Sequence, residues 1–271
     1  MDPLARIAAA LERLSPPLPA PADPLAHPAY AWRNGVLVAI ATEALPLVRL
    51  VGLDRQRDAL LGNLSRLAQG YAAHDVLLWG ARGSGKSALA KSAMAAVQAV
   101  HPALALVVAD DLATLPALFA ALVEVPRPAA VFVDDVGVDE AADARALRSL
   151  LEGGAAPRPA SVRLLVTANR RHLMPRDMAE QASAINPRDA ADDQLALADR
   201  FGLSLGFHAL DQAGYLAIVA GYAAAYDLAF EPGEAIEWAA RRGSRSGRVA
   251  WQFVVEIAGR AGRALTKGDE R

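Results

Sequence analysis

The sequence predicts an α/β protein: a parallel five-stranded sheet in a three-layer αβα core, followed by a small all-helical region. Three observations carry this. Strand-like apolar runs alternate with helix-like stretches, a spacing that buries a parallel sheet between helices. One strand runs through a glycine-rich loop directly into a helix. From about Asp211 the strand patterns stop and only helical ones follow.

Residues 2–14 read as a short amphipathic helix with Leu4, Ile7, Ala8, Leu11 and Leu14 on one face. Its function is open between a packed appendage and a docking or oligomerisation arm. Ser15 to Pro24 is too rich in proline for a helix and reads as an extended linker. Residues 30–50 form a mixed apolar lead-in. Leu53, Leu60, Leu64 and Leu67 then mark a helix that ends near Gly70. The strands expected next are Asp75–Trp79, Leu104–Ala109, Ala129–Val133, Val162–Thr167 and Leu203–Phe207. Helices are expected at 86–99, 111–124 and 139–152, the last stopped by Gly153-Gly154, and then at 211–226, 232–242 and 247–265. The division that follows is 1–29 for helix and linker, 30–210 for the α/β core, and 211–271 for the helical region.

The loop after the first core strand reads Gly80-Ala-Arg-Gly-Ser-Gly-Lys-Ser87, the spacing G-x-x-x-x-G-K-[ST] of a phosphate-binding P-loop. Glycines allow successive backbone N–H groups to turn inward around a polyphosphate, and the helix N-terminus adds partial positive charge. Gly80, Arg82, Gly83, Ser84, Gly85, Lys86, Ser87 and Ala88 are therefore the candidate nucleotide-binding residues. Lys86 would reach the terminal phosphates, and the Ser87 hydroxyl would be a ligand for Mg²⁺. The plain alternative is a glycine-rich turn before an ordinary helix.

Such a loop needs carboxylates at the end of a buried strand. Asp110-Asp111 and Asp134-Asp135 both qualify. The first pair is followed at once by a helical pattern, so an aspartate there reads more simply as an N-cap. The second is followed, one helix and one strand later, by the polar strand end Thr167-Ala-Asn169, where ligands gather in α/β folds. Asp134 is thus the expected Mg²⁺ residue and Asp135 the base. Asn169 could bind both the attacking water and the γ-phosphate, or be only a strand-end turn residue.

Composition narrows the classes. With 54% hydrophobic and 21% charged residues, the chain is globular rather than disordered. Its net charge of −2 argues against a dedicated nucleic-acid binder without excluding a local basic patch. The absence of cysteine removes disulfides, thiolate metal sites and cysteine nucleophiles. The five histidines are scattered, with no pair at zinc-ligand spacing. No run reaches about 18 apolar residues and no signal-peptide pattern is present, so a cytoplasmic location and no membrane are expected.

Taken together, these stretches resemble the AAA+ ATPases, and more narrowly a bacterial AAA+ family catalogued only as a domain of unknown function. The resemblance rests on Leu77–Ser87, Asp134-Asp135, Leu150-Leu-Glu-Gly153, Thr167-Ala-Asn-Arg-Arg-His-Leu-Met-Pro175, Asp199-Arg-Phe-Gly-Leu203 and Arg242-Gly-Ser-Arg-Ser-Gly-Arg248, and spans roughly residues 50 to 258. The family also carries Asp-Asp at the acidic strand end. Gly137, where serine is expected, and the N-terminal 30 residues depart from it.

The resemblance implies further roles. Asn169 would be sensor 1, Arg200 an arginine finger reaching the γ-phosphate of a neighbouring subunit, and Arg248 sensor 2, with Arg245 as second choice. Arg200 could instead form a surface ion pair with Asp199. The helical region would be a lid, and adenine would sit near Leu50-Val51-Gly52 beneath it. Arg170-Arg171 could pair with phosphate or across an interface. The implied activity is Mg²⁺-dependent hydrolysis of ATP to ADP and phosphate, in a homo-oligomeric ring, with a hexamer as one form by analogy, acting on an unknown protein client. No Asn-Lys-x-Asp signature follows the fourth strand, which disfavours guanine. Two other outputs stand beside this one: a slow nucleotide switch acting as a scaffold, and nucleic-acid binding through Arg241, Arg242, Arg245 and Arg248.

Overall fold

Five apolar runs become the parallel strands of one sheet in the computed structural model: β3 (Val76–Gly80), β4 (Ala105–Ala109), β5 (Ala129–Val136), β6 (Val162–Asn169) and β7 (Leu203–Phe207). Ahead of them, β1 (Ala29–Arg33) and β2 (Val36–Ala39) form an antiparallel hairpin, and β1 pairs with β4 in parallel. The order is β2-β1-β4-β5-β6-β3-β7, so the sheet has seven strands where five were expected. The lead-in at 30–50 contributes the extra two. Asn34 (φ +50) and Gly35 (φ +80) make their turn, both in the left-handed region that a two-residue hairpin requires. The structure describes Pro3, Arg6 and residues 20–136, 141–153, 158–169 and 200–265, apart from the side chains of 141–145. Most of the helix expected at 2–14, Gly137, Arg170-Arg171 and Asp199 lie outside the described residues.

Side-chain alternation along each strand builds three layers. Leu77, Val131, Val133, Leu164 and Val166 face one side, against α3 (Leu115–Leu122) and Leu147 of α4 (Ala141–Leu151). Val76, Leu78, Phe132 and Leu165 face the other, against α1 (Asp54–Ala68) and α2 (Lys86–Val100). On this second side Leu60, Leu64 and Leu67 of α1 meet Leu89, Ala93 and Val97 of α2, at the helical spacing legible in the sequence. A separate cluster forms among α5 (Gln212–Ala225), α6 (Pro232–Arg241) and α7 (Gly247–Arg260), centred on Tyr215, Val219, Phe253 and Val254.

Buried polar groups pin the connections. Asn63 donates to the carbonyl of His74 and accepts from its N–H, both at 2.9 Å, which fixes the entry to β3. Asp75, 9% exposed, accepts from the Leu164 N–H at 2.8 Å and pairs with Arg158 at 2.8 Å. Arg127 donates to the carbonyls of Ala103, Pro24 and His27 at 2.7–2.9 Å, and Ala22 N–H donates to Leu37. The chain from Ala22 onward is therefore tied to the sheet, inside the stretch read as linker.

Candidate functional site

Glycine geometry shapes the loop between β3 and α2. Gly80 backs onto β7, where an added Cβ would lie 2.0 Å from the Phe207 carbonyl oxygen, so no side chain fits. Gly83 and Gly85 have φ of +78° and +99°, which turns the backbone into the first turn of α2. Ser84 Oγ closes the loop by donating to the Ala81 carbonyl at 2.7 Å.

Lys86, first in α2 and 7% exposed, points back into this loop. Its ammonium donates to the carbonyls of Gly80 (2.8 Å) and Ala81 (3.0 Å) and to Asn169 Oδ1 (3.3 Å). Burial holds its pKa below the ordinary lysine value; Asp135 and Asp134 oppose that shift, while Arg248 and Arg82 add to it. Ser87, next along the helix, donates to Asp134 Oδ1 at 2.6 Å. The same oxygen accepts from Thr167 Oγ1 at 2.6 Å, and Thr167 Oγ1 in turn accepts from the Asp135 N–H at 2.7 Å.

Asp135 occupies an irregular strand end. The β5–β6 register shifts between Val133 and Val136, and Asp135 has φ of +54°, a conformation uncommon outside glycine. That turn aims its carboxylate at Asn169, whose Nδ2 donates to Asp135 Oδ1. Lys86, Asn169 and Asp135 thus form one continuous hydrogen-bonded series at the carboxyl ends of three adjacent strands. The competing pair behaves otherwise: Asp111 Oδ1 accepts from the Ala113 N–H at 2.8 Å and caps a 3₁₀ turn, as its sequence context implied.

These groups line one end of a cavity of about 830 Å³. Arg82, Gly83, Ser84, Gly85, Ser87 and Ala88 border it, with Asp134, Asp135 and Asn169 opposite. The rest of its lining is apolar and aromatic: Leu50, Val51 and Gly52, together with Tyr222, Tyr226 and Trp251, against whose cluster Val51 packs. Trp251 meets Tyr222 edge-on at 5.3 Å between ring centroids, and the Arg49 guanidinium lies 5.6 Å from the Tyr226 ring. The charged end suits a polyphosphate and the aromatic end a flat heterocycle.

The two candidate arginines after α6 separate. Arg248, in the first turn of α7, lines the large cavity, and a Cβ on Gly83 would stand 3.1 Å from Ser246 Oγ and 3.4 Å from Arg248 Cβ. Arg245 lines a smaller cavity of about 350 Å³ behind the loop, together with Arg82 and His208. Arg241 is paired with Glu237, and Arg242 stacks on Trp238 at 3.4 Å.

Arg200 stands apart from this assembly. It precedes β7, whose first residue, Leu203, lies level with Val76, whereas the loop departs from Gly80. Those two levels are four residues apart along the strands, about 13 Å. Arg200 does not line the cavity of its own chain; its Nη2 and Nε meet Glu152 Oε1 at 2.7 and 2.8 Å.

Two features went unassigned in the sequence. Thr167 was visible as a polar strand end, yet its bridge between Asp134 and the Asp135 backbone depends on strand pairing. The aromatic lining comes from residues more than 80 positions beyond the cavity's Asp134, and nothing local in their helical patterns marks them as site residues.

Similarity to known proteins agrees with this geometry. The chain aligns structurally with Aeropyrum pernix Orc1 in complex with DNA at a TM-score of 0.52 and 15% identity, covering 84% of this chain and 65% of that one. A Thermotoga maritima RuvB variant gives 0.52 at 18% identity, covering 83% and 69%. The T. maritima RuvB Holliday junction branch migration motor itself gives 0.49 at 19%, covering 80% and 66%. At these identities the likeness to Orc1 and to the RuvB variant speaks for the fold alone, a P-loop α/β core with a helical C-terminal region, and this chain spans only about two thirds of the length of those proteins. No match was found among curated proteins. Among the described residues no helix is long and apolar enough to cross a membrane. A family model described as "Protein of unknown function (DUF815)" matches residues 25–261, most of the sequence, and the chain belongs to that family.

Proposed function

We propose that this chain is an ATPase that hydrolyses Mg²⁺-bound ATP to ADP and phosphate. The observation that carries the reading is the convergence of Lys86, Ser87, Asp134, Asp135 and Asn169 at one end of a cavity whose far end is aromatic. Ser87 and Asp134 fit a magnesium ion: a hydroxyl and a carboxylate at the phosphate end, leaving the remaining ligands to water and phosphate oxygens. When bound, that ion neutralises charge on the phosphate oxygens. Lys86 exchanges a loop carbonyl for phosphate, which is a short swing because all three of its acceptors lie at the site. Asn169 orients the attacking water and Asp135 receives its proton as the water oxygen bonds the γ-phosphorus and the bond to the ADP oxygen breaks.

Adenine occupies the aromatic end between Val51 and Trp251, and Arg248 joins the phosphates to α7, so that nucleotide state sets the position of the helical lid at residues 211–271. Arg200, remote from its own cavity, serves as a finger for a second copy, which makes turnover depend on a homo-oligomer, a ring with a hexamer as the form that analogy of fold suggests. The location is cytoplasmic and the client is a protein. A nucleic-acid role draws on the Orc1 structure, which is a complex with DNA, but Arg241 and Arg242 are engaged within the chain, which weakens that surface. A slow switch acting as a scaffold is the alternative if turnover is negligible. The test is phosphate release from Mg²⁺–ATP by the parent, by Asp135→Asn and by Lys86→Ala. The reading expects turnover in the parent, ATP binding without turnover in the first variant, and loss of binding in the second. ATP binding without release by the parent would leave the switch.

A further inference from the structure

The geometry points to Glu152 as the positioning residue for Arg200. The inference rests on the reading of Arg200 as a finger lent to a neighbouring subunit, and names what aims it.

Glu152 follows the last turn of α4, where its N–H donates to the Arg148 carbonyl at 2.9 Å and Gly153 (φ +90°) ends the helix. Its Oε1 receives both Nε and Nη2 of Arg200, at 2.8 and 2.7 Å. Two donors on one edge of the planar guanidinium converge on one oxygen, which restrains the direction of the group more than a single contact would. The backbone beside it is anchored in the core. Phe201, beside Arg200, is 4% exposed and belongs to the cluster that contains Leu147, with Leu150 and Leu151 packed against it. The tip of Arg200 is therefore referenced to the end of α4, 48 residues away in sequence, while its base is anchored in the core beside it.

Stability alone does not explain the pair. Glu152 is 57% and Arg200 33% exposed, and exposed ion pairs add little to folding. A finger, in contrast, must meet a phosphate within a fraction of an ångström, where small misplacements lower turnover steeply. α4 is also the helix that follows β5, so the strand carrying Asp134 and Asp135 continues into the element that carries Glu152.

The test uses full-length chains in mixed assemblies. Glu152→Ala alone should lose about tenfold or more in kcat, with ATP affinity and unfolding midpoint near those of the parent. Glu152→Gln, which keeps the shape and removes the charge, should fall between the two. Asp135→Asn subunits have a silent site but an intact Glu152 and Arg200. Mixed in excess with Glu152→Ala, they should restore turnover per Glu152→Ala subunit, because each active site then borrows a correctly held arginine. Arg200→Ala mixed in the same way is the reference. If Arg200→Ala is restored by the mixture while Glu152→Ala is not, or if Glu152→Ala alone matches or exceeds the parent, the positioning role is overturned. Failure to restore Arg200→Ala would instead overturn the trans reading beneath it.

Discussion

Ser87 Oγ and Asp134 Oδ1 stand 2.6 Å apart, joining the first turn of α2 to the end of β5 across 47 positions of sequence. Thr167 shares the same carboxylate oxygen, so the pair is held from two strands and a helix. Asp134→Asn should therefore keep the fold and the nucleotide affinity measured without Mg²⁺, yet lose the gain in affinity that Mg²⁺ brings and reduce turnover by about 10²-fold or more. Titration of a fluorescent ATP analogue with and without Mg²⁺ separates these effects.

Asp135 combines a chemical role with an unusual backbone. Asparagine tolerates the left-handed region, so Asp135→Asn should unfold close to the parent midpoint while turnover falls about 10²-fold or more. Asp135→Val should lose about 1–2 kcal/mol of stability as well, because a branched Cβ clashes at φ +54°. Chemical denaturation beside phosphate release checks both parts.

Gly83 is where loop and α7 touch. Gly83→Ala places a methyl 3.1 Å from Ser246 Oγ at a φ of +78°, and should both strain the loop and push the start of α7 away. Nucleotide affinity should fall by about tenfold or more, and Arg248→Ala should reproduce that fall without the strain. Calorimetric titration with ATP, read against unfolding midpoints, distinguishes the two.

Lys86 gives the site a pH signature. Its folded pKa lies below the ordinary 10.5, chiefly through burial, so the native chain binds fewer protons than the unfolded one between those two values. Stability attributable to this group should rise as pH rises through that window, the cost of burying the ammonium being fully present below the folded pKa. Lys86→Met should flatten that rise and abolish nucleotide binding. Denaturation midpoints from neutral to alkaline pH, parent against variant, provide the measurement.

How far the sequence could be read depended on whether a feature was local. The loop from Gly80 to Ser87 and the five parallel strands follow from spacing and apolar runs within a few residues. Asp134 and Asp135 could be preferred over Asp110 and Asp111 because helix capping by Asp111 is also local. The hairpin at 29–39 was missed although Asn34-Gly35 is a strong turn signal, because only four residues of β2 flank it and the following stretch has no strand pattern. The Thr167 bridge, the series from Lys86 through Asn169 to Asp135, and the aromatic wall at Tyr222 and Trp251 all depend on which distant elements become neighbours. Arg200 is the opposite case. Its neighbour in sequence, Asp199, suggested an ion pair and lies outside the described residues; among those described, Arg200 meets Glu152, 48 positions away.

Steady-state phosphate release per subunit, measured against protein concentration for the parent and Arg200→Ala, decides whether hydrolysis depends on an arginine from a second copy. In the parent the rate should rise cooperatively with concentration, and in Arg200→Ala it should collapse while ATP still binds. A low rate, independent of concentration and unchanged in Arg200→Ala, would contradict that dependence.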